Sequence, residues 1–191
     1  GPSFKRRGQL VQDILFAPRS PEGDFFDSRF SFTLRLAVIA ITFGVVIGIP
    51  AGVIAALKQN TWIDYVTAFV TTIGISVPGF VVAIFLIYIF AVTLNLIPVI
   101  PKWDQTASSI MPGAVMGFGT MASLARYTRT QMLDVMRQDY IRTARAKGLQ
   151  ERVVVLKHML RNSLIPVVTI LGPVIAGLLT GSFIIEQMFS F

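Results

Sequence analysis

The sequence predicts an all-α, polytopic membrane helical bundle of about four spans with a basic cytoplasmic loop, and three observations carry that expectation. Hydrophobic residues make up 53% of the chain and charged residues only 14%, against about a quarter charged in a soluble domain. Charge-free runs reach the roughly 20 residues that cross a hydrocarbon core of about 30 Å at about 1.5 Å per residue. A basic stretch from Arg126 to Arg161 lies between two apolar runs, the asymmetry that marks a cytoplasmic loop.

Residues 1–35 are read as an external segment and lead-in, and residues 36–190 as the membrane domain. The first span, residues 36–57, carries no charge. Its Gly44, Gly48 and Gly52 recur every fourth residue, which places them near one helix face where a neighbouring backbone can approach closely. Pro50 is expected to kink it. The second run, residues 66–94, exceeds one untilted crossing and is interrupted by Val77-Pro78-Gly79, so it should tilt, bend or consist of two helical pieces. A bend beside a pathway and a kink absorbed by packing explain that interruption equally well.

The third run, residues 110–125, is short and rich in small residues, and Arg126 and Arg129 follow it. An Arg at a bilayer centre costs about 2.5–3.5 kcal/mol, whereas each Leu or Ile gains only about 0.3–0.6, so Arg126 belongs at the interface. Helix can continue from there into the cytoplasm through Met136. The fourth run, residues 163–188, contains Pro166 and Gly172-Pro173 and is expected to be a bent span, with Glu186 near its far end either lining a pathway or, the slightly favoured reading, simply hydrated at the interface.

A cytoplasmic loop at 126–162 also makes residues 58–64 cytoplasmic and residues 95–109 external. It puts Lys5, Arg6 and Arg7 outside, against the usual bias. That conflict, and a first residue that is Gly1, lead to the expectation that the sequence is a piece of a longer chain with an earlier span.

Several function classes are disfavoured. The chain has no Cys, and its single His, His158, cannot form a metal site alone. The net charge of +7 is concentrated beside apolar runs, where it sets topology without invoking nucleic acid. Asp134, Asp139 and Glu151 are scattered among basic residues and form no catalytic cluster of a membrane enzyme. A gradient-driven secondary transporter, the alternative from another class, should carry ionisable residues at the midplane of its spans, and these spans hold almost none. No G-x-x-x-x-G-K-[ST] phosphate loop occurs. Neither catalytic, cofactor-binding nor metal-binding residues are assigned to this chain.

The stretch TRTQMLDVMRQDYIRTARAKGL, followed by HMLRNSLIPVVTILGP, resembles the cytoplasmic loop and following helix of permease subunits in binding-protein-dependent ABC importers. With AGVIAALKQNTWIDY, VPGFVVAIFLIYIF and IIEQMF, it is similar to the B-type permeases of oligopeptide, dipeptide and nickel systems. The general loop pattern begins Glu-Ala-Ala; here Arg142 and Thr143 take the first two positions, Ala144 and Gly148 match, and Arg161 stands where the general pattern has Pro. The peptide-type variant fits through Leu149.

The resemblance implies that Arg142, Thr143, Ala144, Arg145, Ala146, Lys147, Gly148 and Leu149 couple the chain to an ATPase. Ala144 and Gly148, four apart, are expected on one helical face whose small side chains seat in a partner's groove; Gly148 is also a candidate helix terminator. The implied partners are two ABC ATPase subunits that hold ATP and Mg, a second homologous permease subunit, an external solute-binding protein and membrane lipid. The implied place is the cytoplasmic (inner) membrane, and the cargo a peptide, with nickel or another small solute as the alternative. Small and polar positions at the bends, Thr71, Thr72, Ser76, Pro78, Gly172 and Pro173, are candidate lining residues of a passage between two subunits.

Overall fold

The computed structural model describes residues 29–94 and 110–180, and no strand occurs among them. The first rod comprises α1 (Arg29–Phe43), a π-helical stretch Gly44–Gly48, and α2 (Ile49–Leu57). Pro50 does not break it: the helix is continuous over Thr33–Leu57. A π turn directly before a proline is one way to relieve the clash of its ring with the carbonyl four residues back, which here belongs to Val46 within that turn. A short turn around Asn60, whose φ is 62°, then leads into α3 (Trp62–Ser76).

The interrupted second run consists of two helices. Helix α3 ends at Ser76, and α4 (Gly79–Ile87) continues through a π stretch Tyr88–Thr93. The two parts are bent by 105°. The residue before a proline is pushed out of the helical region, and Val77 accordingly has φ −83° and ψ 124°. Pro78, with no N–H to leave unpaired, then opens α4 as its N-cap.

Helix α5 (Ile110–Met136) is one uninterrupted helix, so the predicted third run and its cytoplasmic extension are a single element. Its first part is not apolar enough to stand among the helices that qualify as spans by length and composition, which are Thr33–Leu57, Glu151–Leu179 and, as a broken pair, α3 with α4. The reason is packing. Met111, Val115, Thr120, Met121, Leu124 and Ala125 are all buried, so α5 is shielded by its neighbours and needs no lipid-facing girdle of large aliphatic residues.

A two-residue turn joins α5 to α6 (Asp139–Ala146), and a second turn leads to α7 (Glu151–Val153), a π stretch Val154–Leu160 and α8 (Arg161–Leu179). The last rod therefore begins at Glu151, twelve residues before the predicted start at residue 163. Pro166 and Pro173 lie inside α8 without ending it. The predicted segments at residues 1–28, 95–109 and 181–191, Glu186 included, lie outside the described residues.

The rods are assembled around α5. The first rod runs parallel to it: a Cβ on Gly48 would lie 2.7 Å from the Met121 carbonyl oxygen, and one on Gly52 would lie 2.8 Å from Thr128 Cβ. The predicted glycine face is thus a contact seam with α5. Helix α3 runs back antiparallel, with Asp64 beside Arg129 and Gly74 against Ala122. Two apolar clusters fill the opposite ends of the bundle. One joins Leu36, Ala40, Ala83, Met111 and Val115, and the other joins Ala56, Met132, Ile141, Ala144, Val154 and Met159.

Candidate functional site: the elbow at the base of the bundle

The second apolar cluster is what positions α6. Ile141 and Ala144, three apart, share the inward face of this short helix, where Ile141 is fully buried and Ala144 nearly so. Ala56 from α2, Met132 from α5, and Val154 and Met159 from the last rod receive that face. Residues 58–64 therefore lie at the same end of the bundle as the elbow, as the predicted topology requires.

This geometry corrects one expectation. Ala144 does not offer its methyl group to a partner; it seats the helix against its own chain, where a larger side chain would push α6 outward. Nor does Gly148 share a helical face with it, because α6 ends at Ala146 and Gly148 has φ +76°. Gly148 instead terminates the helix. Its N–H donates to the Arg145 carbonyl at 2.9 Å, and the Leu149 N–H donates to the Ala144 carbonyl at 3.4 Å, the paired bonds of a Schellman cap. The left-handed conformation costs a residue with a Cβ about 1–2 kcal/mol, which explains glycine here.

Termination at this point leaves Arg142, Thr143, Arg145, Ala146, Lys147, Gly148 and Leu149 exposed, together with Tyr140. Arg145 is committed internally: its Nε and Nη2 donate to Glu151 at 3.1 and 2.6 Å, tying α6 to the first turn of the last rod. Those hydrogen bonds hold the guanidinium above its already high ordinary pKa. The pair is solvated, so its worth is the roughly 0.2–1 kcal/mol of a surface ion pair. Arg142 makes only a loose 3.6 Å contact with Asp139. Tyr140 accepts a hydrogen bond from the Asn162 side chain at 3.1 Å. The elbow is thus a braced, basic, outward-facing surface on an apolar seat.

A second feature at this end was missed in the sequence. Arg129 donates to Asp64 through Nε at 2.5 Å and Nη2 at 2.8 Å, while the Asn60 backbone N–H donates to the same carboxylate at 3.0 Å. The Asp64 side chain is only 3% exposed. The signal was present but indirect: once residues 58–64 and Arg129 are assigned to one side of the membrane, an acid in the first turn of one helix faces a base leaving another. A cleft of about 380 Å³ opens beside the pair, lined in part by Thr71, Thr72, Arg126 and Thr130.

Among the candidate lining residues, Thr71 and Thr72 both line that cleft; Thr72 is exposed, whereas Thr71 is buried and its hydroxyl donates to the Ala68 carbonyl at 3.1 Å. Ser76 and Pro78 are exposed at the bend, and Gly172 and Pro173 are exposed on α8. The structure does not gather them into one site. The cavity at the bend, about 220 Å³, is lined by Gly74, Val77, Gly79, Phe118, Gly119 and Gly177 among others, so on the α8 side Gly177 and Leu178 wall it and Gly172-Pro173 do not.

The described residues form a bent helical bundle, with helices long and apolar enough to span a membrane and a basic elbow braced at one end. The chain belongs to the family of binding-protein-dependent transport system inner membrane components, whose pattern matches residues 48–191. It is 42% identical over 190 residues to the dipeptide transport system permease protein DppB of Bacillus subtilis, covering 100% of this chain and 58% of that protein. It is 38% identical over 191 residues to the oligopeptide transport system permease protein OppB of Haemophilus influenzae, covering 99% of this chain and 58% of that protein. The glutathione transport system permease protein GsiC of Escherichia coli K12 is 41% identical over 177 residues, with 93% of this chain and 58% of that protein covered. The chain thus spans 58% of the length of these relatives.

Proposed function

We propose that the chain is the membrane-spanning permease subunit of an ATP-driven importer and passes peptides across the inner membrane. The observation that carries this reading is the elbow, a short helix whose inner face is locked into the bundle and whose outer face is free for a partner, in a chain of the binding-protein-dependent transport family. The rods Thr33–Leu57, α3 with α4, α5, and Glu151–Leu179 serve as its four spans, with the elbow in the cytoplasm. The names of the relatives support peptides over nickel, and membership of the family argues against a self-sufficient gradient-driven carrier.

In this reading two ATPase subunits hold ATP and Mg, and one of them receives Tyr140, Arg142, Thr143, Lys147 and Leu149. Their closure pushes the elbow, and α5, whose end is joined to the elbow by two residues, carries the displacement into the membrane. A second permease subunit completes the passage, and an external solute-binding protein delivers cargo. The chain itself performs no hydrolysis.

Thr143→Trp tests the assignment, because Thr143 is exposed and its change leaves the buried seat intact. The variant should insert normally into the membrane, lose co-purification with the ATPase subunits and lose uptake. Wild-type ATPase association and uptake in this variant would refute the docking face.

A further inference from the structure

Resting on the permease reading above, we infer that Asp64 and Arg129 are positioning residues for transport: their ion pair, in which Asp64 is buried and Arg129 half-buried, fastens α3 to α5, so that displacement of the elbow reaches the bend at Val77–Gly79. Arg129 lies about two turns before the end of α5, close to the elbow. The pair is therefore near the point where any push from α6 enters the bundle. Asp64 lies in the first turn of α3, the helix that ends at the bend.

Helix α3 is held to α5 at two levels. The ion pair is the lower one, and the upper one is Gly74, where a Cβ would come within 2.5 Å of Ala122 Cβ and 3.3 Å of the Phe118 ring. Apolar contact of the second kind resists separation but allows sliding. A bidentate guanidinium–carboxylate pair is directional and fixes register. Here both carboxylate oxygens are occupied, one by Nε and the other by Nη2 and the Asn60 N–H. Asn60 is in the left-handed region at φ 62°, so the turn preceding α3 is shaped to bring that N–H to the acid.

With both levels engaged, α3 moves with α5 as one body. The freedom in this half of the chain is then concentrated where the helix is broken, at Val77 and Pro78, which turn the chain by 105° into α4; Val77 and Gly79 wall the cavity there. Stability alone is a poor reason for such a pair, since taking the Asp64 carboxylate out of water offsets part of what its attraction to the half-buried Arg129 returns.

The test uses the whole transporter, this chain with its partner permease and ATPase subunits, in proteoliposomes with the solute-binding protein and radiolabelled dipeptide. The readouts are the amount of assembled complex, ATP hydrolysis, and peptide taken up per ATP hydrolysed. Arg129→Gln alone strands the buried Asp64 carboxylate, and Asp64→Asn alone leaves the half-buried Arg129 unpaired; each should reduce the amount of complex, the first more than the second. The double variant D64N/R129Q removes both charges and should restore assembly, keep hydrolysis within about twofold, and still lower uptake per ATP by about tenfold or more.

Arg129→Lys, which keeps the charge and abolishes the bidentate geometry, should assemble and also lower that ratio. It carries the test if the double variant does not assemble. A wild-type ratio in the double variant, or in Arg129→Lys when that variant alone assembles, overturns the inference and leaves the permease reading standing. A wild-type complex without ATP-dependent uptake overturns both.

Discussion

Replacing Gly48 by Ala asks whether the seam between the first rod and α5 rests on backbone proximity. The added methyl carbon would lie 2.7 Å from the Met121 carbonyl oxygen, 3.2 Å from Met121 Cα and 3.3 Å from Leu124 Cβ. A carbon–oxygen contact relaxes at about 3.3 Å and a carbon–carbon contact at about 3.5–4.0 Å. The rods must therefore separate by roughly half an ångström, against backbone atoms that cannot rotate away. Overpacking of this kind costs about 1–3 kcal/mol. Alanine also stabilises a helix by about 1 kcal/mol relative to glycine, and this offset is removed by comparison with Gly177→Ala in α8, where a Cβ meets nothing within 4 Å. The expected result is that G48A lies about 1–3 kcal/mol below G177A in the unfolding free energy of the purified chain in detergent, followed by tryptophan fluorescence during denaturation. Equal stability of the two variants would show that the seam has slack and would remove the close-approach account of the glycine face.

Two further perturbations separate backbone strain from burial. Gly148→Val should destabilise the elbow by about 1–2 kcal/mol and speed amide exchange across residues 139–149, whereas Gly148→Asn, which tolerates φ +76°, should cost less; equal effects of Val and Asn would argue against strain at that position. Thr128 is buried against Gly52, and its hydroxyl has no hydrogen-bond partner among the described residues. Thr128→Val, nearly isosteric, should therefore raise thermal stability by about 1–3 kcal/mol, and a loss of stability would mean that the hydroxyl has a bonding role.

Much of the architecture was legible because it follows from local chemistry. The Gly44, Gly48 and Gly52 spacing marked a contact face, Val77-Pro78-Gly79 marked a break, and Gly148 marked a helix end. The predicted span edges were less secure. Polarity set the start of the last rod at residue 163, yet the helix begins at Glu151, because hydropathy reports where lipid can be tolerated and says little about where hydrogen bonding begins. The helix that the sequence allowed to continue from the third run through Met136 does so, as one element over Ile110–Met136.

By itself the sequence determined an all-helical membrane chain, the break at Val77-Pro78-Gly79 though not the continuity of the helices through Pro50, Pro166 and Pro173, and the basic elbow with its resemblance to peptide-type permeases. Each of these depends on residue type and short spacing, such as charge-free length, a missing proline N–H, or a glycine that can adopt positive φ. Tertiary structure decided which side of the elbow is available. Ala144 and Gly148 are close in sequence, but only packing shows Ala144 to be turned into a pocket made by Ala56, Met132, Val154 and Met159, with the outer face left to Tyr140, Arg142, Thr143 and Lys147. It also decided that Asp64 and Arg129 meet. Their separation in sequence is 65 residues, and a contact of that range depends on how two helices cross a third dimension that local periodicity does not encode.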